Sequence, residues 1–126
     1  MHLLLYTHAW LWFVKGDAQL SDSAREAIRA ETNQKYVSVA SVWEVAIKTA
    51  IGKMTWHEPF TDFIDRELKR FRVLSIHPEN AVARASLPLH HRDPFDRVLA
   101  AQAMRRQLTL ISRDPVFDKY GIHRLW

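Results

Sequence analysis

Short apolar runs alternate with stretches of helical periodicity along all 126 residues of this chain, and that alternation restricts its fold more than any other feature. Leu3-Leu4-Leu5 reads as the centre of a strand over residues 2–6. Tyr36-Val37-Ser38-Val39, Val73-Leu74-Ser75-Ile76, Leu108 to Ser112 and Ile122 to Leu125 read as four more. Helical spacing fills the gaps. Thr7 to Val14 is stopped by Lys15-Gly16-Asp17, and Ser23-Ala24-Arg25-Glu26 has the spacing of a capping box that starts a helix to about Glu31. Trp43, Ala46, Ile47, Ala50 and Ile51 keep one face from Ala40 until Gly52. Phe60, Phe63, Ile64, Leu68 and Phe71 form another such face. Pro78 to about Ser86 and Asp93-Pro94 to Arg106 complete the set, with a helical turn from Pro115 to Lys119. Strands separated by helices rather than by hairpin turns predict an α/β fold, a central parallel sheet of four to five short strands with helices on both faces. With 48% hydrophobic residues, residues 1–126 are expected to bury one core as a single domain.

In such sheets ligands bind beyond the carboxyl ends of the strands. That rule puts Tyr6 and Asp114 on one edge, with Asp96, near the start of its helix, facing the same way. Each acid has a structural reading and a chemical one. Asp93-Pro94 and Asp114-Pro115 are good N-cap and N1 pairs, Asp96 complements a helix dipole, and Glu44 stands four residues before Lys48 as an ordinary ion pair. Gathered on one edge, Glu44, Asp93, Asp96 and Asp114 would instead make a site for a hard divalent cation. The residues alone leave both roles open. His90 and His91 do not favour zinc, because adjacent histidines converge poorly on one ion.

The net charge of +4 and pI near 9.7 suit a polyanionic partner, the more so if several of the 14 acids cluster in one place. Arg92, Arg97, Arg113 and Lys48 are candidate phosphate contacts, since basic side chains near a site position a nucleic-acid backbone. The chain has no cysteine, which excludes disulfides and thiolate metal sites. Its longest apolar segment near the N-terminus, Ala9 to Val14, is too short to span a bilayer, so a cytoplasmic protein with no membrane partner is expected. Trp10, Trp12 and Phe13 surround a short helix more completely than one core face requires. With Trp56 and Phe60, Trp10 and Trp12 are candidates for contact with a protein partner, the alternative being that all are core.

The motifs, taken together, resemble a known family. They are Leu4-Leu5-Tyr6-Thr7-His8 with Trp10-Leu11-Trp12; Ser38-Val39-Ala40-Ser41-Val42-Trp43-Glu44 with Ile47-Lys48 and Gly52-Lys53; and the segment Leu87-Pro88-Leu89-His90-His91-Arg92-Asp93-Pro94-Phe95-Asp96-Arg97 continuing to Ala100-Ala101-Gln102-Ala103. Leu110-Ile111-Ser112-Arg113-Asp114, Phe117, Tyr120-Gly121 and Leu125-Trp126 follow. In this order they resemble, over the whole chain, PIN-domain ribonuclease toxins of the VapC type, the toxin half of VapBC toxin–antitoxin pairs. The resemblance implies a PIN-like α/β/α sandwich and a type II toxin that hydrolyses RNA phosphodiester bonds with Mg²⁺ or Mn²⁺. It implies metal-binding acids at position 6, Glu44, Asp96 and Asp114, with Asp93 as a catalytic neighbour. It further implies a VapB-type antitoxin, an RNA substrate and a homodimer. The family has Asp at the position of Tyr6. A phenol is neutral at pH 7 and its ring takes the space of a metal and its waters, so hydrolysis is expected to be impaired in this chain. The alternative function is a non-catalytic module that binds RNA or an antitoxin.

Overall fold

The computed structural model describes residues 1–126, the side chain of Arg84 excepted. Five strands form one sheet: β1 (His2–Leu5), β2 (Gln34–Ser38), β3 (Arg72–Leu74), β4 (Thr109–Ile111) and β5 (Arg124–Leu125). Their order is β3-β2-β1-β4-β5, and every adjacent pair is parallel. Parallel neighbours need crossovers, and helices supply them. α1 (Thr7–Lys15) and α2 (Asp22–Arg29) join β1 to β2, α3 (Val39–Ala50) and α4 (Phe60–Arg70) join β2 to β3, and α5 (Pro78–Ser86) and α6 (Pro94–Arg106) join β3 to β4. A 3-10 helix, Pro115–Tyr120, leads into β5.

The side-chain alternation of each strand divides the core between the two faces. Leu3, Leu5, Val37 and Ile111 pack with Ala9, Trp10, Leu11, Ala24, Ile28 and Phe63 on one side. Leu4, Tyr36 and Leu110 pack with Leu99, Ala100, Ala103 and Phe117 on the other. This is the α/β/α sandwich expected from the alternation of elements.

Several boundaries differ from the sequence reading, each for a local reason. The α2 cap is Ser21, whose Oγ accepts the Ala24 N–H at 3.1 Å, so the Ser23–Glu26 spacing lies within the helix and not at its start. Val39 belongs to α3 rather than to β2, because the Ser38 hydroxyl accepts the Ala40 N–H at 3.0 Å and turns the chain there. β3 stops at Leu74 because the Ser75 carbonyl accepts from the buried Gln102 amide instead of a neighbouring strand. The fourth and fifth strands are likewise shorter than their apolar runs.

β1 lies at the centre, and the chain leaves it first toward β2 and β3, then returns on its far side to β4 and β5. The direction of winding therefore reverses between β1 and β4. Parallel sheets open a crevice at such a point, at the carboxyl ends of the two strands. Here those ends are tied by the Tyr6 N–H donating to the Ile111 carbonyl at 3.1 Å. Among the described residues no helix is long and apolar enough to cross a membrane.

Candidate active site

Tyr6 occupies the turn from β1 into α1 and gives that helix no side-chain cap. Its ring stacks on His8 with centroids 5.5 Å apart and meets the edge of Phe117 at 5.7 Å, which holds it in the crevice. Burial and then the charges of Asp96, Glu44 and Asp93 push its hydroxyl far above the ordinary phenol range, so the group stays protonated. Its hydrogen bond goes to Asp96.

Asp96 is half-buried one turn into α6. Burial, followed by the nearby Asp93 carboxylate, raises its carboxyl to about 6, while the Tyr6 hydroxyl and His91 pull the other way. Asp93 caps the same helix, its Oδ1 accepting the Phe95 N–H at 2.8 Å and the Asp96 N–H at 3.2 Å. Pro94 at the first helical position has no N–H to leave unpaired. Glu44, on α3, is only 6% exposed. Its Oε1 lies 2.9 Å from the Thr7 hydroxyl and its Oε2 lies 2.9 Å from Lys48 Nζ. Thr7 has one proton, so it donates to the carboxylate and accepts from the buried Ser41 hydroxyl 2.8 Å away.

Asp114 sits just beyond β4 and caps the 3-10 helix, with Oδ1 accepting the Val116 N–H at 2.9 Å. Its Oδ2 is 2.8 Å from His91 Nε2. Tyr120 fixes that histidine: its hydroxyl accepts the His91 N–H at 3.1 Å and lies 3.0 Å from Nδ1. Nε2 is the donor toward Asp114 whether the ring is neutral or protonated, and the hydroxyl donates to Nδ1 when the ring is neutral. Burial pushes the Asp114 carboxyl up, but the His91 hydrogen bond, the Val116 N–H and the charges of His91 and Arg124 outweigh it and hold the carboxyl below its usual range.

The Tyr6 hydroxyl thus hydrogen-bonds to Asp96 within the electrostatic reach of Glu44 and Asp93, and Tyr6 and Asp114 line one cavity at the crevice. The donor set does not fit a Mg²⁺ or Mn²⁺ ion. Such ions want several charged oxygens converging at about 2.0–2.1 Å. Here both oxygens of Glu44 and of Asp114 already have partners, Asp96 faces a neutral phenol, and among the described residues no three Asp, Glu, His or Cys side chains converge as a metal-holding group.

The basic and aromatic candidates separate. Arg113 is exposed and its guanidinium lies 4.9 Å over the Trp12 ring. Arg92 is exposed beside Leu89. Arg97 is not a surface phosphate contact, because it is 8% exposed and donates to the carbonyls of Leu87 at 3.2 Å and Pro88 at 3.1 Å, pinning the segment before α6. Trp10 is not a docking residue either. It is fully buried, with its indole N–H donating to Glu67 Oε1 at 3.1 Å. Trp12 lines the crevice with Trp126, whereas Trp56 and Phe60 form a different group with Phe63 around the α1–α4 side. Three supporting residues escaped the sequence reading. In the sequence His91 reads as half of a weak zinc pair, and Ser41 and Glu67 carry no role of their own, although Glu67 falls four residues after Phe63 on the apolar face of α4.

A family model described as the PIN domain matches residues 3–122. Comparison with curated protein sequences finds no match. Among solved structures, the fold is similar to a chain of VapBC2 from Rickettsia felis bound to a DNA fragment of its promoter, at 16% identity and TM-score 0.74, covering 99% of this chain and 98% of that one. It is also similar to a chain of DNA-bound VapBC from Salmonella typhimurium, at 19% identity and TM-score 0.71, covering 99% and 97%. A third similar chain is from VapBC-1 of nontypeable Haemophilus influenzae, at 16% identity and TM-score 0.71.

Proposed function

Since this chain belongs to the PIN-domain family, whose members are generally divalent-metal-dependent nucleases, we propose that it is the toxin component of a type II toxin–antitoxin pair, with RNA phosphodiester bonds as its substrate class and turnover suppressed by Tyr6. The observation that carries this reading is the Tyr6 hydroxyl hydrogen-bonded to Asp96 at the carboxyl edge of the sheet, with Glu44 and Asp93 close enough to act on it electrostatically. Three acids near a neutral phenol are costly to assemble without a purpose, since each raises the energy of ionising its neighbours. The same arrangement explains the suppression. The phenol stands where the resemblance implies an acidic ligand, and its proton, not a Mg²⁺ or Mn²⁺ ion, faces Asp96.

The chain's own residues still have work in such a protein. Arg92 and Arg113 are the exposed cations suited to an RNA backbone. Trp56, half-buried and lining a cavity of about 650 Å³ with Val14, Lys15 and Phe63, and Phe60 packed against it, support a groove for a VapB-type antitoxin helix. Trp43 at 59% exposure, Ile47 at 40% and Ile51 at 59% make an apolar stripe along α3, which supports pairing of two copies.

The deciding experiment compares matched, antitoxin-free preparations of this chain and Tyr6→Asp on RNA with Mg²⁺ or Mn²⁺. We expect little or no cleavage by the former and restored cleavage by the latter. Equal activity in the two would remove position 6 from the site. RNA binding without cleavage in either protein would favour the second reading, a PIN module that binds RNA or an antitoxin without turnover, which the neutral Tyr6 hydroxyl against Asp96 supports for this chain.

A further inference from the structure

The crevice between β1 and β4 opens into a cavity of about 360 Å³ that Asp114 lines and whose walls do not include Glu44, Asp93 or Asp96. Its walls are rings. Tyr6 stacks on His8, His8 is 5.7 Å from Trp12, and Trp12 meets Trp126 at 6.0 Å with their planes 61° apart. Arg113 lies along Trp12 at the rim and Asp114 at the other side. We propose that this cavity is a nucleobase subsite, in which one unpaired base of a single-stranded RNA stacks on Trp126 and meets the edge of Trp12, while Arg113, over the Trp12 ring, holds an adjacent phosphate. The inference rests on the reading of the chain as an RNA-binding PIN domain and adds where a base, rather than the backbone, is held.

Several observations favour this occupant. Two indoles set at 61° offer a flat ligand one face to stack on and one edge to meet, and stacking on aromatic side chains is tolerant of base identity because every base has a π-face. The cavity volume is at the small end of ligand sites, right for a base and its ribose and small for a helix. Asp114 can accept from a base N–H, and the cavity stands where ligands enter parallel sheets. A peptide arginine could also stack on the indoles, but it would meet the Arg113 guanidinium at once, and like charges there cost affinity. An anionic ligand has no such conflict.

The test uses the whole chain with EDTA present, and two fluorescein-labelled RNA probes of equal charge: hexaadenylate and a hexamer lacking all bases. Stacking is lost only in the second. We expect hexaadenylate to bind about tenfold more tightly or better. Trp126→Leu and Trp12→Leu should each erase most of that difference, and Trp126→Leu, which leaves the Trp12 ring under Arg113, should change the baseless probe less than twofold. Binding by the unmodified chain already tests the point, so a variant that fails to fold does not decide it. Equal affinity for both probes, or a base preference that both variants keep, overturns the subsite but leaves RNA binding standing. Failure of both probes to bind overturns the RNA reading itself and the subsite with it. Variants that spare RNA binding but weaken binding of a cognate antitoxin would assign the cavity to protein instead.

Discussion

The Asp96 carboxyl shows what burial beside a second carboxylate does to a single residue, even with the Tyr6 hydroxyl pulling the other way. Held at about 6 by burial and by Asp93, against an ordinary value of 3.8, it keeps its proton in the folded chain over a range where the unfolded chain has lost it. The sign follows directly. The folded state binds more protons than the unfolded between about pH 4 and 6, so this group's contribution favours folding most at the acid end and is lost as pH rises through that window. Asn at position 96 keeps the shape and has no such proton. Asp96→Asn should therefore be more stable than the parent at pH 7, by about 1 kcal/mol once solvent screening reduces the roughly 3 kcal/mol that two pKa units represent. Near pH 4 the two should converge. Urea unfolding of both proteins across this range checks it, and because Asp114 and the other acids titrate in both, their effects cancel in the difference. Parallel stability curves would mean that Asp96 ionises like a surface acid.

At the scale of elements, the sequence made the sheet legible because period-2 and period-3.6 patterns are dictated by which side chains must be dry. All five strands and six helices fall where those patterns put them, within a few residues. Their ends were less legible, since an end is decided by one hydrogen bond and several residues compete to make it. Ser21 and Ser23 are the clearest case. Both precede helix-forming residues, and Ser23 has the better motif with Glu26, yet Ser21 makes the bond to Ala24. Ser21→Ala is expected to cost about 1 kcal/mol, the usual value of a serine N-cap, and Ser23→Ala, at an exposed position inside α2, to change little. Chemical denaturation of the two variants would reverse the assignment if their order were inverted. The candidate site was legible in the same partial way. Its acids could be placed on one edge from the strand ends, but the partners that close them, His91 on Asp114 and Thr7 on Glu44, come from 23 and 37 residues away and leave no periodic trace. Trp10 was misread because its helix is apolar on most sides, and only packing decides which side faces the sheet.

Across the whole molecule, charge is where local pairing and long-range attraction must be told apart. The chain carries 18 Lys and Arg against 14 Asp and Glu, a balance that draws a polyanion without saying where it lies. Near the carboxyl edge most cations are already committed. Lys48 is 2.9 Å from Glu44, Arg124 is 2.9 Å from Asp118, and Arg97 is buried among carbonyls. Arg92 and Arg113 are the exposed ones of the four phosphate candidates apart from Lys48, which Glu44 neutralises. A single strand gives up counterions in proportion to the phosphates neutralised, with log K falling by about 0.7 per contact for each unit of log salt. Two contacts predict a slope of about −1.4, and all four candidates would give about −2.8. We expect hexaadenylate binding, titrated over a tenfold range of KCl, to follow the shallower line. Arg92→Ala and Arg113→Ala should each flatten it by about 0.7, and Arg97→Ala should lower thermal stability instead, by unpinning the Leu87 and Pro88 carbonyls. A steep slope that survives both of the first two substitutions would put the RNA backbone on a different face of the protein.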